Sequence, residues 1–103
     1  MHMRIIWGKI RAGQWERYEA AYRKVFLSNT PSIEGLRARW LVRDVNDRDA
    51  GYPVSVWETA EAMKQYETGI FFRNEVKPTL QPFFVDDFDT THCEVRVSEE
   101  LGP

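Results

Sequence analysis

A chain of 103 residues has the length of one domain. With 14% aromatic residues, and Trp7, Trp15, Trp40 and Trp57 spread along it, the composition excludes a disordered chain. A net charge of −2 gives no general attraction to nucleic acid or to anionic membranes, and the single Cys93 excludes an intrachain disulfide. No apolar run approaches the roughly 20 residues needed to cross a bilayer.

The charge is unevenly placed. Residues 1–43 hold nine Lys/Arg against three Glu, and residues 44–103 hold five against thirteen acids, so the two parts carry +6 and −8. A solvated surface accounts for this, and docking of two copies is the alternative. The start, Met1-His2-Met3-Arg4, lacks the apolar segment of a signal peptide, so a cytoplasmic protein is expected. Met1-His2 reads as an addition ahead of a natural start at Met3.

Arg4 to Arg11 is short, β-rich and apolar without clean alternation, which predicts a strand covered on both faces. From Gln14 the period changes. Trp15, Tyr18, Tyr22, Val25 and Phe26 share one face of a predicted helix, Glu19 and Arg23 form an i,i+4 pair, and the helix is expected to stop near Ser28-Asn29-Thr30-Pro31. Leu36 to Val45 reads as a strand with Ala38, Trp40 and Val42 on one face and Arg37, Arg39, Leu41 and Arg43 on the other. A turn-rich loop, Asn46 to Pro53, joins it to a third strand, Val54 to Glu58, as a hairpin.

Thr59 is an N-cap for a second helix, with Glu61 in the first turn and Ala62 or Met63, Tyr66 and Ile70 on its apolar face. Gly69 is an end or a kink. Phe71, Phe72, Val76 and Leu80 continue the apolar pattern through a stretch broken by Pro78 and Pro82. Asp86 to Asp89 is a loop, and His92 to Val97 a last strand. The chain therefore reads as one α+β domain, 1–103, in the order β-α-β-β-α-β, with residues 1–3 and 98–103 frayed.

Two stretches carry a resemblance. Ser32-Ile33-Glu34-Gly35-Leu36-Arg37-Ala38-Arg39-Trp40 and Val54-Ser55-Val56-Trp57-Glu58-Thr59-Ala60-Glu61-Ala62-Met63-Lys64-Gln65-Tyr66, in that element order, resemble the antibiotic-biosynthesis-monooxygenase domain family. The family opens its second strand with a Pro-Gly turn; here the turn is Ile33-Glu34-Gly35. The resemblance, which runs from Arg4 to Val97, implies a ferredoxin-like, four-stranded antiparallel sheet with two helices on one face. It also implies a homodimer in which two sheets pack face to face as a dimeric α+β barrel.

The resemblance further implies a site between sheet and helices for a small aromatic or apolar molecule, and cofactor-independent oxygenation of a quinone- or phenol-type substrate. Mapped onto this sequence, Trp40, Trp57, Phe71 and Phe72 would bind substrate. Tyr66, His92 and Arg39 would orient it, stabilise its anion or move a proton. No cofactor, metal, nucleic acid or membrane partner is expected. The haem-degrading relatives place Asn, Trp and a ligand His where this chain has Ile6, Tyr66 and Val76, and valine cannot ligate iron. Each site residue also has a structural reading: Trp57 and Tyr66 as core anchors, His92 as a solvated histidine, Cys93 as a small apolar residue. On that reading the chain is a binding or assembly domain without catalysis. Asp44-x-Asn46-x-Arg48 begins like a calcium loop, but Arg48 puts a cation where a ligand belongs.

Overall fold

The computed structural model describes residues 1–27 and 33–102. Strands β1 (His2–Lys9), β2 (Leu36–Arg43), β3 (Ala50–Trp57) and β4 (Asp89–Glu94) form one antiparallel sheet in the order β2-β3-β1-β4. Helix α1 (Trp15–Leu27) follows β1. After β3 come α2 (Ala60–Thr68), a π-helical turn (Phe72–Val76), α3 (Lys77–Leu80) and a 3-10 turn (Gln81–Phe83). The expected α+β order is present, with the second helical region in several pieces.

Local chemistry explains most of the boundaries. Thr59 caps α2 by accepting the Ala62 N–H at 3.0 Å, and Glu19 and Arg23 pair at 3.3 Å on α1. Gly69 ends α2 and the helical path resumes at Ile70, so it is both a stop and a kink. Pro78 has no N–H to give. The chain widens to a π turn just before it, where Lys77 donates to the carbonyl of Phe72 five residues back. The expected stop of α1, at residues 28–31, lies outside the described residues.

Several edges differ from expectation. His2 and Met3 are not frayed: they pair with Trp57 and Val56 on one side and with Glu94 and Cys93 on the other. β4 starts three residues early, at Asp89, because it follows the register of β1, where Trp7 faces Asp89. β3 begins at Ala50 and runs through Pro53. The β1 ladder lapses there, passing from Ile5–Val54 to Gly8–Gly51, because proline has no donor to offer.

Opposed residues in an antiparallel pair share a face. Arg4, Ile6, Arg39, Leu41, Ser55, Trp57 and His92 therefore look toward the helices. The interior of this layer is built from Ile10, Trp15, Tyr18, Val25, Phe26, Val76, Leu80 and Phe84, all buried. Two glycines let the layers close: a Cβ on Gly8 would meet the Phe84 ring at 2.4 Å, and one on Gly51 would meet Trp15 at 2.3 Å. The other sheet face carries Ile5, Trp7, Trp40, Val42, Tyr52 and Val54. Trp40 is 51% exposed there and Trp7 43%. No described helix is long and apolar enough to cross a membrane.

Candidate functional site between sheet and helices

Two neighbouring hollows lie beside the helices. The inner one is a slot of about 50 Å³ whose walls include Ile6, Tyr18, Trp57, Tyr66, Phe72 and Val76, with Arg4 and Arg39 also on its lining. The outer one is about 490 Å³ and lies between α1 and β2, walled by Glu19, Tyr22, Arg23, Phe26, Leu27, Arg39, Trp40 and Leu41. Tyr22, Phe26 and Arg39 border both.

Aromatic packing builds the slot. Trp57 is completely buried, its indole N–H donates to Ser55 Oγ at 2.9 Å, and its ring centre is 5.0 Å from that of Tyr66. Tyr66 meets Phe72 edge-on at 5.3 Å, and Tyr18 meets Phe84 the same way at 5.7 Å. Burial raises Tyr66 to about 12, against the opposing pull of Arg4 and Arg39, so its hydroxyl remains a proton donor at neutral pH. Burial also pushes Tyr18 far up and Tyr22 up, the latter against the charge of Arg39.

The two arginines are held differently. Arg4 is 5% exposed, stands 5.1 Å over the Phe72 ring, and donates from Nε to Glu67 Oε2 at 2.7 Å. Glu67 also holds His92 Nε2, at 2.8 Å. Burial pushes the Glu67 carboxyl up, but hydrogen bonds from Arg4 and His92 outweigh it and leave it below the usual carboxylate range. Arg39 stacks 3.9 Å over the Phe26 ring, and its buried Nε and Nη1 have no hydrogen-bond partner among the described residues. Burial lowers its pKa, with Tyr22 and Tyr66 countering in part. These two nitrogens have lost water without gaining an acceptor among the described residues.

Of the residues singled out from sequence, the fold brings Trp57, Tyr66, Phe72 and Arg39 together at the slot. Phe71 stands behind them, packed on Phe26 and Tyr66 at 6.3 and 6.4 Å between ring centres, and does not line the slot. Trp40 points to the opposite sheet face, because adjacent strand residues alternate and Arg39 takes the inward side. It reaches only the outer hollow, at the edge of the sheet. His92 looks toward the helices but is half exposed and engaged with Glu67, outside both hollows. Sequence reasoning missed Arg4, Glu67 and Tyr18. A cation between apolar neighbours in a two-sided strand was the available signal for Arg4.

Asp44, which opens the calcium-like stretch, spends its carboxylate within its loop. It accepts the Asn46 N–H at 2.7 Å and the Tyr52 hydroxyl at 3.1 Å.

No family model matches the sequence, and none of the curated proteins does. Solved structures do match. A Caulobacter crescentus protein named for the antibiotic biosynthesis monooxygenases superposes with a TM-score of 0.80 at 9% identity, covering 93% of this chain and 90% of its own. SnoaB, a cofactor-independent oxygenase from Streptomyces nogalater solved in a mutant form, gives 0.77 at 10% identity, covering 94% of each chain. A further structure, titled an antibiotic biosynthesis monooxygenase, gives 0.76 at 16%, covering 94% of this chain and all of its own.

A four-stranded antiparallel sheet, helices on one face and an aromatic hollow between them define an α+β protein of the ferredoxin-like class. Within that class, the chain has the fold of the antibiotic biosynthesis monooxygenase proteins.

Proposed function

We propose that the protein is a cofactor-independent monooxygenase of an ionisable phenol or quinol, with Arg39 as the group that stabilises the substrate anion. The observation that carries this reading is Arg39, half-buried at the junction of an aromatic slot and a wider hollow, with its buried Nε and Nη1 lacking a hydrogen-bond partner among the described residues. A phenolate oxygen there supplies the acceptor that Arg39 lacks, and an opposite charge lowers the substrate's pKa by about one to three units. Arg39 thus does much of a base's work. Tyr66 stays protonated and serves as a hydrogen-bond donor to the same oxygen.

The chemistry balances without a cofactor. The phenolate passes one electron to dioxygen, giving a phenoxyl radical and superoxide, and the two join through a new C–O bond. The peroxide O–O bond then breaks. One oxygen stays on the ring as the quinone carbonyl, and the other leaves as water with the ring hydrogen and the phenolic proton. The protein orients the anion, holds its charge and excludes water.

The working unit on this reading is a homodimer. The exposed apolar sheet face, with Trp7, Trp40 and Val42, is where a second copy would pack. A monomer by sedimentation at micromolar concentration would refute that part.

One observation favours a second reading, a binding domain of the same fold without catalysis. His92 lies outside both hollows, and Tyr66 is held protonated, so neither proposed proton acceptor is placed as a base. Oxygen uptake by the purified protein against a panel of hydroquinones and phenols separates the two. The oxygenase reading expects uptake above autoxidation for at least one compound, falling on the order of 100-fold in Arg39→Met and less in Tyr66→Phe. Uptake at the autoxidation rate across the panel, with the protein folded, would leave the binding domain.

A further inference from the structure

The inner slot is too small for the ring. An apolar cavity of about 150 Å³ holds benzene, and one of roughly 10–15 Å³ is the least that admits a water. At about 50 Å³ the slot lies between them, the size for a diatomic molecule rather than an arene. The outer hollow, about ten times larger, is the place for the ring, and Arg39 borders both. An ordered water needs two to four polar partners, and most of this lining is carbon. Ile6, Val76, Leu80 and Phe84 present only carbon, Trp57 has already given its N–H to Ser55, and the buried donors on the lining without a partner among the described residues belong to Tyr18 and Arg39.

Beside Arg39, Tyr18 is the polar group of interest on this lining. Tyr18 is 1% exposed, and its buried hydroxyl has no hydrogen-bond partner among the described residues. Burial keeps it protonated. A neutral donor with no partner among the described residues bonds neutral dioxygen weakly and bonds it strongly once it carries negative charge.

We infer that the slot is a dioxygen site distinct from the ring's hollow, and that Tyr18 donates a hydrogen bond to the oxygen as it takes the substrate's electron. The use of this site rests on the oxygenase reading above; its existence does not. The bond strengthens only as superoxide forms, so Tyr18 acts on the oxygen half-reaction and not on phenol binding.

Xenon is the probe, since it reports apolar cavities independently of activity. Crystals of the wild type and of Tyr18→Phe under xenon pressure should each show one atom in the slot, and Val76→Phe, which fills it, should show none. Val76→Leu, a smaller change, keeps the comparison available if the phenylalanine variant does not fold, and should show reduced occupancy. With any phenol that the wild type oxidises, Val76→Phe or Val76→Leu should raise the KM for oxygen about fivefold or more, with the KM for the phenol within twofold. Tyr18→Phe should lower kcat/KM for oxygen about tenfold. Xenon in the slot with no phenol oxidised would retain the gas site while removing the oxygenase reading. Ordered water in the slot with no xenon would overturn the site, and equal oxygen kinetics in Tyr18→Phe would remove the role of that hydroxyl.

Discussion

Arg4 and Arg39 sit in the same layer, each over a phenylalanine ring, yet their charges are managed in opposite ways. Arg4 is compensated by Glu67, which His92 steadies from the surface. Arg39 stands over the Phe26 ring and has no carboxylate in contact among the described residues. A buried charge that is paired belongs to the fold. One left unpaired costs stability, and that cost is offset only when something binds. The Arg4 end of the layer therefore reads as structure and the Arg39 end as site.

Removing each end's key group should split the two most widely. Glu67→Ala strands a buried cation and is expected to cost about 3 kcal/mol in urea unfolding. Arg39→Met removes an uncompensated charge and replaces it with an apolar chain of similar reach. It should leave stability unchanged or raise it by about 1 kcal/mol. A loss of several kcal/mol in Arg39→Met would mean that the guanidinium holds the fold after all.

Between the arginines, Tyr66 and Tyr18 extend the comparison to alkaline pH. Both have folded pKa values raised by burial, Tyr66 to about 12, so the folded state prefers the protonated form. Their contribution is intact below the ordinary tyrosine value near 10. It is lost as pH rises beyond it, when the unfolded chain ionises and the folded one does not. Stability should fall by up to about 1.4 kcal/mol per pH unit per tyrosine above pH 10, and Tyr18→Phe should flatten that slope. The same substitution should be neutral or stabilising at pH 7, because it deletes a buried hydroxyl with no partner among the described residues.

At the acid end the sign reverses. Glu67 has a depressed pKa, so its contribution is present above the ordinary carboxylate value and lost as pH falls through the folded one. Glu67→Gln should weaken the acid dependence of unfolding. The smallest effect belongs to His92→Ala, a half-exposed partner, expected to cost under about 1 kcal/mol and to leave oxygen uptake unchanged. A large loss of uptake there would restore His92 to the chemistry.

Element order and the split of β2 into an arginine face and a Trp40 face were legible from periodicity alone. Strand ends were not, because registers are set by partners: β4 begins where Trp7 needs Asp89 opposite, and β3 extends past Pro53 on pairing that no local propensity announces. The site was legible as far as its aromatics. Trp57, Tyr66 and Phe72 converge because each lies on an inward face. Trp40 and Arg39, adjacent in one strand, cannot both point inward, and strict alternation already contained that conflict. Arg4, Glu67 and His92 come from β1, α2 and β4, and only the fold shows that Glu67 takes up the charge of Arg4 while Arg39 has no carboxylate partner among the described residues.

The most direct test of that difference is the ionisation of a bound nitrophenol, followed by absorbance against pH in the wild type and in Arg39→Met. The account predicts that binding lowers the phenol's pKa by about one unit or more in the wild type and by nothing in the variant. An unshifted pKa in the wild type, or the same shift in both proteins, would contradict a role for Arg39 as the anion's partner.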